Sequence, residues 1–285
     1  MQIEFPDFSA PIPQSILEQP WKKLEHALAR QSISKDINFI WPILAIGDSL
    51  IANQLYSQKP LAYTNDAIAK IQENPPFQNC KDGLILNIGT ARYFPPLEHI
   101  SFDLIGKAAD FSIRNALEPQ RLIKGFNLGK ELIKDKRNKL VYLSDVGAGN
   151  DLCAESVLHF LYRTNTLPEA IKAAKSAASN DVQHPFSVVE KYGNYQIPFF
   201  IGLLMRGIEN ECYFILEGWS ATTAYAIITI MFPRAAEFCS LASPLPSAVL
   251  QEVYKQQGWS FLEKENPNHE RASFFDGIMK KIGLD

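Results

Sequence analysis

The chain has 285 residues, of which 46% are hydrophobic and 21% charged, with a formal net charge of −3 at neutral pH. That is enough material for a full core in one large or two unequal units. The charge balance excludes the basic footprint of a nucleic-acid binder and the polybasic surface that seeks anionic membranes.

Residues 16–30 carry apolar side chains at Ile16, Leu17, Trp21, Leu24, Ala27 and Leu28, which is helical spacing. Residues 36–47 (DINFIWPILAIG) read as a buried strand with an early proline. Residues 64–72 form a short helix capped by Thr64 or Asn65, and 83–89 (GLILNIG) a second buried strand. An amphipathic helix follows at 119–135, a third strand at 139–143 (KLVYL), and helices at 150–162 and 168–179. A turn at Gly193 opens an apolar helical run, which breaks at 207–211 before a fourth buried strand at 212–216. A helix then starts on Ser220 and Thr222, and a short strand at 237–241 and a helix at 246–256 close the pattern. The polar stretches 72–82 and 257–271, with proline and asparagine, read as surface loops.

The strands are apolar throughout instead of alternating, and helices separate them. That is the signature of a parallel sheet covered on both faces, an α/β fold with a Rossmann-like sheet. Residues 37–257 are expected to form this unit, with 1–36 and 258–285 packing together as a small helical domain. The amino-terminal stretch MQIEFPDFSAPIP has no basic and no apolar region of a signal peptide, and the longest apolar run, 221–232, falls short of the ~20 residues a bilayer span needs. Cys80, Cys153, Cys212 and Cys239 are scattered, with no CxxC pair, as in a reduced cytoplasmic protein. No metal or cofactor is called for.

Candidate chemistry sits at strand ends. Glu217-Gly218 closes the strand 212–216 just before a helix, which is where open α/β sheets hold ligands. A buried carboxylate there could accept hydrogen bonds from ribose hydroxyls, with Ser220 and Thr222 as donors; the plain alternative is that Glu217 caps the helix or pairs with a lysine. Ser144-Asp-Val-Gly-Ala-Gly-Asn-Asp151 follows the strand 139–143 and opens a helix. Gly147 and Gly149 would let backbone approach a ligand, and free N–H groups at a helix start favour an anion. The alternative is an ordinary strand-to-helix turn capped by Asn150. Gly47-Asp48-Ser49-Leu50 ends the first strand in the same manner.

The order and spacing over roughly residues 40–275 resemble the nicotinate-nucleotide:dimethylbenzimidazole phosphoribosyltransferase family. The likeness is laid without a gap over 187–224, where a glycine-aromatic-polar turn precedes a long helix and a strand ends in acidic-Gly-aromatic. It implies transfer of phosphoribose from nicotinate mononucleotide to a benzimidazole-type base, for the lower ligand of cobamides, by a homodimer. It implies Glu270 and Asp145 as catalytic residues, Glu270 taking the proton from the base nitrogen. It implies Gly147, Gly149, Asn150, Glu217, Gly218, Asp48, Asn115, Lys172 and Ser243 as substrate-binding positions. The chain departs from the pattern where Ser49 replaces a histidine and Leu50 a glycine. It departs again where Asp151 replaces a hydroxyl residue, and where Asn268-His-Glu-Arg lacks the glycines that flank the family's glutamate. Asp151 would repel a phosphate unless a cation intervened.

Two other readings use the same residues. A nucleotide- or base-binding protein of this fold, without turnover, would account for the departures. An SGNH/GDSL esterase would use Ser49 in GDSL, Asn150 in GAGND, and Asp181 and His184 in DVQH. Its last block normally lies near the end of the fold, yet the strand 212–216 follows it here.

Overall fold

The computed structural model describes residues 19–30, 40–53, 61–73, 76–77, 80, 82–91, 105–173 and 184–263. Five strands carry the architecture: β1 Ile40–Gly47, β2 Leu84–Gly89, β3 Leu140–Val146, β4 Tyr213–Glu217 and β5 Cys239–Leu241. All pair in parallel, in the order β2-β1-β3-β4-β5. Every residue of β1, β3, β4 and β5 is buried, because each strand has helices on both sides.

The described helices are α1 Pro20–Arg30, α2 Leu61–Glu73, α3 Pro119–Ile133, α4 Asn150–Tyr162, α5 Glu169–Ala173, α6 Pro185–Tyr192, α7 Gln196–Glu209, α8 Trp219–Met231 and α9 Ala248–Gln257. One sheet face (Val141, Leu143, Phe214, Leu216) is sealed by α3, α4, α7 and α8. The other (Tyr142, Val146, Tyr213, Ile215) is sealed by Leu24 and Leu28 of α1 and Ile68 and Ile71 of α2. A third apolar cluster joins Ala154 and Leu158 of α4, Ala226 of α8, and Val249, Leu250 and Val253 of α9.

The parallel sheet expected from the apolar strands is present. Several details differ from the sequence reading, among them that α2 starts at Leu61, so Thr64 lies inside the helix with its hydroxyl on Asp48 instead of capping it. The third strand runs on to Val146, because Ser144 and Asp145 stay in register with β1 and β4 instead of starting a turn. α6 precedes Gly193 and was not anticipated. It is short, begins on Pro185 and is capped by His184. Residues 259–263 are not a free loop: Phe261 bridges to Leu241, and Leu262 N–H donates to the Leu241 carbonyl at 3.0 Å, so the chain extends the sheet edge.

α1 docks at that same edge. Trp21 Nε1 donates to the Leu262 carbonyl at 2.6 Å, and the buried Lys23 ammonium reaches the carbonyls of Ala236 (3.2 Å) and Cys239. Of the small terminal domain expected from 1–36 and 258–285, residues 19–30 and 258–263 fall in the described set. All four cysteines are buried free thiols. Among the described residues, no helix is long and apolar enough to cross a membrane.

Candidate functional site

Because the strands are parallel, their carboxyl ends share one edge. That edge carries Gly47-Asp48 after β1, Thr90 after β2, Gly147-Ala148-Gly149 after β3, Glu217-Gly218 at β4 and Ser243 beyond β5. The chain places β2 on one side of β1 and β3 on the other. The β1/β3 boundary is therefore the topological switch point, the position where such sheets open a ligand crevice.

Asp48 occupies the switch point and is buried. Its Oδ1 accepts from Thr64 Oγ1 at 2.5 Å and from Ala148 N at 2.9 Å, and its Oδ2 accepts from Ala91 N at 2.7 Å. One carboxylate thus ties the ends of β1, β2 and β3 to α2. Burial raises its pKa; the hydrogen bonds from Ala91, Thr64 and Ala148 and the charge of Lys107 work against that rise. The turn after β3 packs directly on the end of β1: a Cβ on Gly147 would lie 1.6 Å from the Gly47 carbonyl oxygen. Gly149 then caps α4, whose first residues Asn150 and Asp151 are buried.

Asp145 lies on the opposite sheet face and is wholly buried. Its Oδ1 accepts from Ser220 N (3.0 Å) and Ala221 N (3.2 Å), and its Oδ2 from Asn150 Nδ2 (3.0 Å). A carboxylate at a helix start satisfies orphan N–H groups and meets the positive end of the helix dipole. Gly218 makes the approach possible: its φ is +104°, and a Cβ there would lie 2.3 Å from Asp145 Oδ1. Asn194 extends the network, donating to Asn150 Oδ1 and to Ser220 Oγ, both at 3.0 Å.

Glu217 ends β4 on the α1/α2 side and is buried, with Tyr142 donating its hydroxyl to the carboxylate. Asp145 and Glu217 therefore occupy neighbouring strand ends but point to opposite faces of the sheet. Ser243 is buried just past β5. Two expected positions lie apart from the edge cluster. Asn115 is exposed and donates to Glu190 Oε1 at 3.1 Å, and Lys172 is exposed on α5. Glu270, His269, Arg271 and Asp181 lie outside the described residues.

The esterase constellation does not assemble as that chemistry needs. Ser49 is 0% exposed, and its hydroxyl donates to the Ala109 carbonyl at 3.4 Å and meets the Cys153 thiol. His184 is exposed, and its Nδ1 accepts the Phe186 N–H at 3.3 Å to cap α6. Burial pushes the Cys153 thiol up to about 12, with Ser49 opposing and the charges of Asp151 and Asp110 adding to the rise. That thiol is inert rather than nucleophilic.

Sequence reasoning missed Gln196 and Asn194. Gln196 Nε2 donates to the carbonyls of Ala45 (3.0 Å) and Val146 (3.1 Å), clamping β1 to β3 at the switch point from the first turn of α7. The available signal was two polar residues just ahead of an apolar run. The edge as a whole is rich in carboxylates: Asp48 takes the Ala148 N–H in the turn before α4, and Asp145 takes the first N–H groups of α8. Its acceptors suit hydroxyl and N–H donors of a ligand, such as those of a ribose or a base.

Fold and edge define an α/β protein with a parallel sheet in flavodoxin-like order and a candidate ligand crevice at its carboxyl ends. No protein-family model matches the chain. A 161-residue stretch is 22% identical to the nicotinate-nucleotide–dimethylbenzimidazole phosphoribosyltransferase of Methylorubrum extorquens, covering 50% of this chain and 47% of that protein. The protein of that name from Janthinobacterium sp. (strain Marseille) is 24% identical over 110 residues, which is 39% of this chain and 30% of its own. The matched stretches thus span less than half the length of these curated relatives. The crystal structure of CobT from Thermus thermophilus superposes with a TM-score of 0.72 over 96% of this chain and 90% of its own, at 15% identity. A nicotinate-nucleotide-dimethylbenzimidazole phosphoribosyltransferase structure from that organism gives 0.72 over 93% and 87%, also at 15% identity. The chain is thus similar in part of its sequence to these phosphoribosyltransferases and shares its fold with the Thermus thermophilus structures.

Proposed function

We propose that this chain is a divergent phosphoribosyltransferase that moves phosphoribose from nicotinate mononucleotide to a benzimidazole-type base. A cytoplasmic homodimer is part of the same reading. The observation that carries it is the superposition over 96% of the chain on the Thermus thermophilus CobT structure, with the polar turns of all five strands on one edge. In the reaction, a ring nitrogen of the base attacks the ribose anomeric carbon. The bond from that carbon to the nicotinate nitrogen breaks, and nicotinate leaves with the electron pair. Glu270 takes the proton from the other nitrogen of the base. Gly147, Gly149 and Asn150 cradle the nucleotide, while Glu217 and Gly218 meet the ribose. Asp48 shapes the base end, with Asn115, Lys172 and Ser243 at the periphery.

The test is incubation of the protein with nicotinate mononucleotide and 5,6-dimethylbenzimidazole, with the riboside phosphate detected by mass spectrometry. Product from the wild type, lowered about a hundredfold or more in Glu270→Gln, is expected, the usual scale for a lost general base. Absence of product with wild-type protein overturns it. A second reading, a nucleotide- or base-binding protein without turnover, is favoured by the carboxylates already seated in the turn before α4 and at the start of α8. It predicts calorimetric binding of the base or nucleotide with no product.

A further inference from the structure

Glu217 is a long, flexible acid at the carboxyl end of β4. In this chain its direction is controlled from the neighbouring strand. Tyr142 stands on β3, two residues before Ser144, and Ser144 is the direct register partner of Glu217. The tyrosine ring must run past the small Ser144 side chain for its hydroxyl to donate to the Glu217 carboxylate. The Ser144 hydroxyl is buried and has no hydrogen-bond partner among the described residues, so it makes no bond of its own across that path. The ring itself is fixed. Tyr142 is fully buried, packed in the α1/α2 core and edge-on to Phe77 at 6.2 Å. A donor held by packing restricts the torsions of the acid it meets, which is preorganisation supplied by a supporting residue.

We propose that Tyr142 is the positioning residue for Glu217, setting the direction in which that carboxylate meets the hydroxyl groups of a ribose at the sheet edge. The inference rests on the nucleotide-binding reading above. Tyr142 does not touch the ligand; it acts through Glu217. Tyr142→Phe keeps the ring and its packing and removes the hydroxyl alone.

Two measurements decide it. The first needs no ligand. With carbon-13 at glutamate carboxyls and the Glu217 signal assigned by its loss in Glu217→Gln, the titration midpoint of Glu217 rises in Tyr142→Phe, because a donor to the ionised form has gone. Tyr213 on β4, Lys23 on α1, Tyr63 on α2, Cys80 and Asp48 are titratable groups around that face, α1 also carries Lys22, Glu25 and His26, and α2 carries Asp66, Lys70 and Glu73; the substitution replaces none of them. The second is calorimetry with nicotinate mononucleotide and its 2′-deoxyribose counterpart. Tyr142→Phe is expected to weaken the ribonucleotide about tenfold or more, the scale of a lost hydrogen bond to a charged group, and to leave the deoxy compound much less affected. An unmoved midpoint, or equal weakening of both nucleotides, overturns the proposal. Failure of the wild type to bind either nucleotide sinks the nucleotide reading, and the titration still decides whether Tyr142 governs Glu217.

Discussion

Lys23 shows how a single side chain can report its own burial. Desolvation brings its ammonium down to about 8 from the usual 10.5, with the charge of Cys239 pulling the other way. Between those values the unfolded chain holds the proton and the folded chain has released it. Stability from this group therefore grows as pH rises from about 8 to about 10.5, and is lost as pH falls through about 8. The full span is worth about 3 kcal/mol. The buried thiols of Cys153, Cys212 and Cys239 have raised pKa values and act in the opposite direction over the same range. Urea unfolding of wild type and Lys23→Met at about pH 8 and about pH 10.5 separates the terms. The stability of wild type relative to the variant should increase by about 3 kcal/mol across that interval; a constant difference would mean that Lys23 is solvated. Asp151 offers a residue-scale test of the nucleotide site. It is buried in the first turn of α4, where a phosphate at the Gly147–Asn150 turn would meet it. Unit charges about 4 Å apart repel by ~4 kcal/mol at an effective dielectric near ~20, more than the ~0.3–1 kcal/mol a helix dipole returns. Asp151→Thr should bind nicotinate mononucleotide more tightly than wild type in metal-free calorimetry. Equal or weaker binding by a folded variant removes the phosphate from that turn.

Among elements, α8 depends on a cap that comes from another strand. Asp145→Ala would leave the N–H groups of Ser220 and Ala221 and the Asn150 amide without this acceptor, inside the protein. Each such loss costs roughly 1–3 kcal/mol, so the urea midpoint should fall by an amount equivalent to at least about 3 kcal/mol. Asp145→Asn, which keeps one acceptor oxygen, should lose less. A fall below about 1 kcal/mol in the alanine variant would show that α8 is capped by other means. The strands were legible because GLILNIG, KLVYL and the run before Glu217 are apolar on both faces, a pattern that only a covered sheet rewards. The end of β3 was not, since Ser144 and Asp145 look like turn residues until β1 and β4 are seen beside them. α6 escaped because eight residues starting on Pro185 and containing Val188 and Val189 give little helical periodicity. Asn194 and Gln196 carried only a weak local signal: apart from the Ile197 N–H on Asn194 Oδ1, their side-chain partners stand 26 to 151 residues away in sequence.

At the scale of the whole molecule, the sequence indicated that Asp48, Asp145, Gly147, Asn150 and Glu217 belong at strand ends, and parallel pairing puts those ends on one edge. It did not indicate strand order, which depends on crossovers that leave no mark in composition. Nor did it indicate what covers β5. The amphipathic spacing of α1 announced a helix with an apolar side, and its partner proved to be the segment around Cys239 and Leu262. That pairing bears on how the protein comes into being. The Trp21–Leu262 hydrogen bond closes a loop of 241 residues. A ribosome delivers residues in order, at roughly 5–20 per second, so α1 emerges long before anything exists for it to lean on. For most of synthesis its leucines lack the β4 part of the sheet face that they cover. A contact of such sequence separation is paid for in chain entropy before it returns any energy, which slows its formation. A helix made 241 residues before its partner thus has to wait for it, with its apolar side unmet in the meantime.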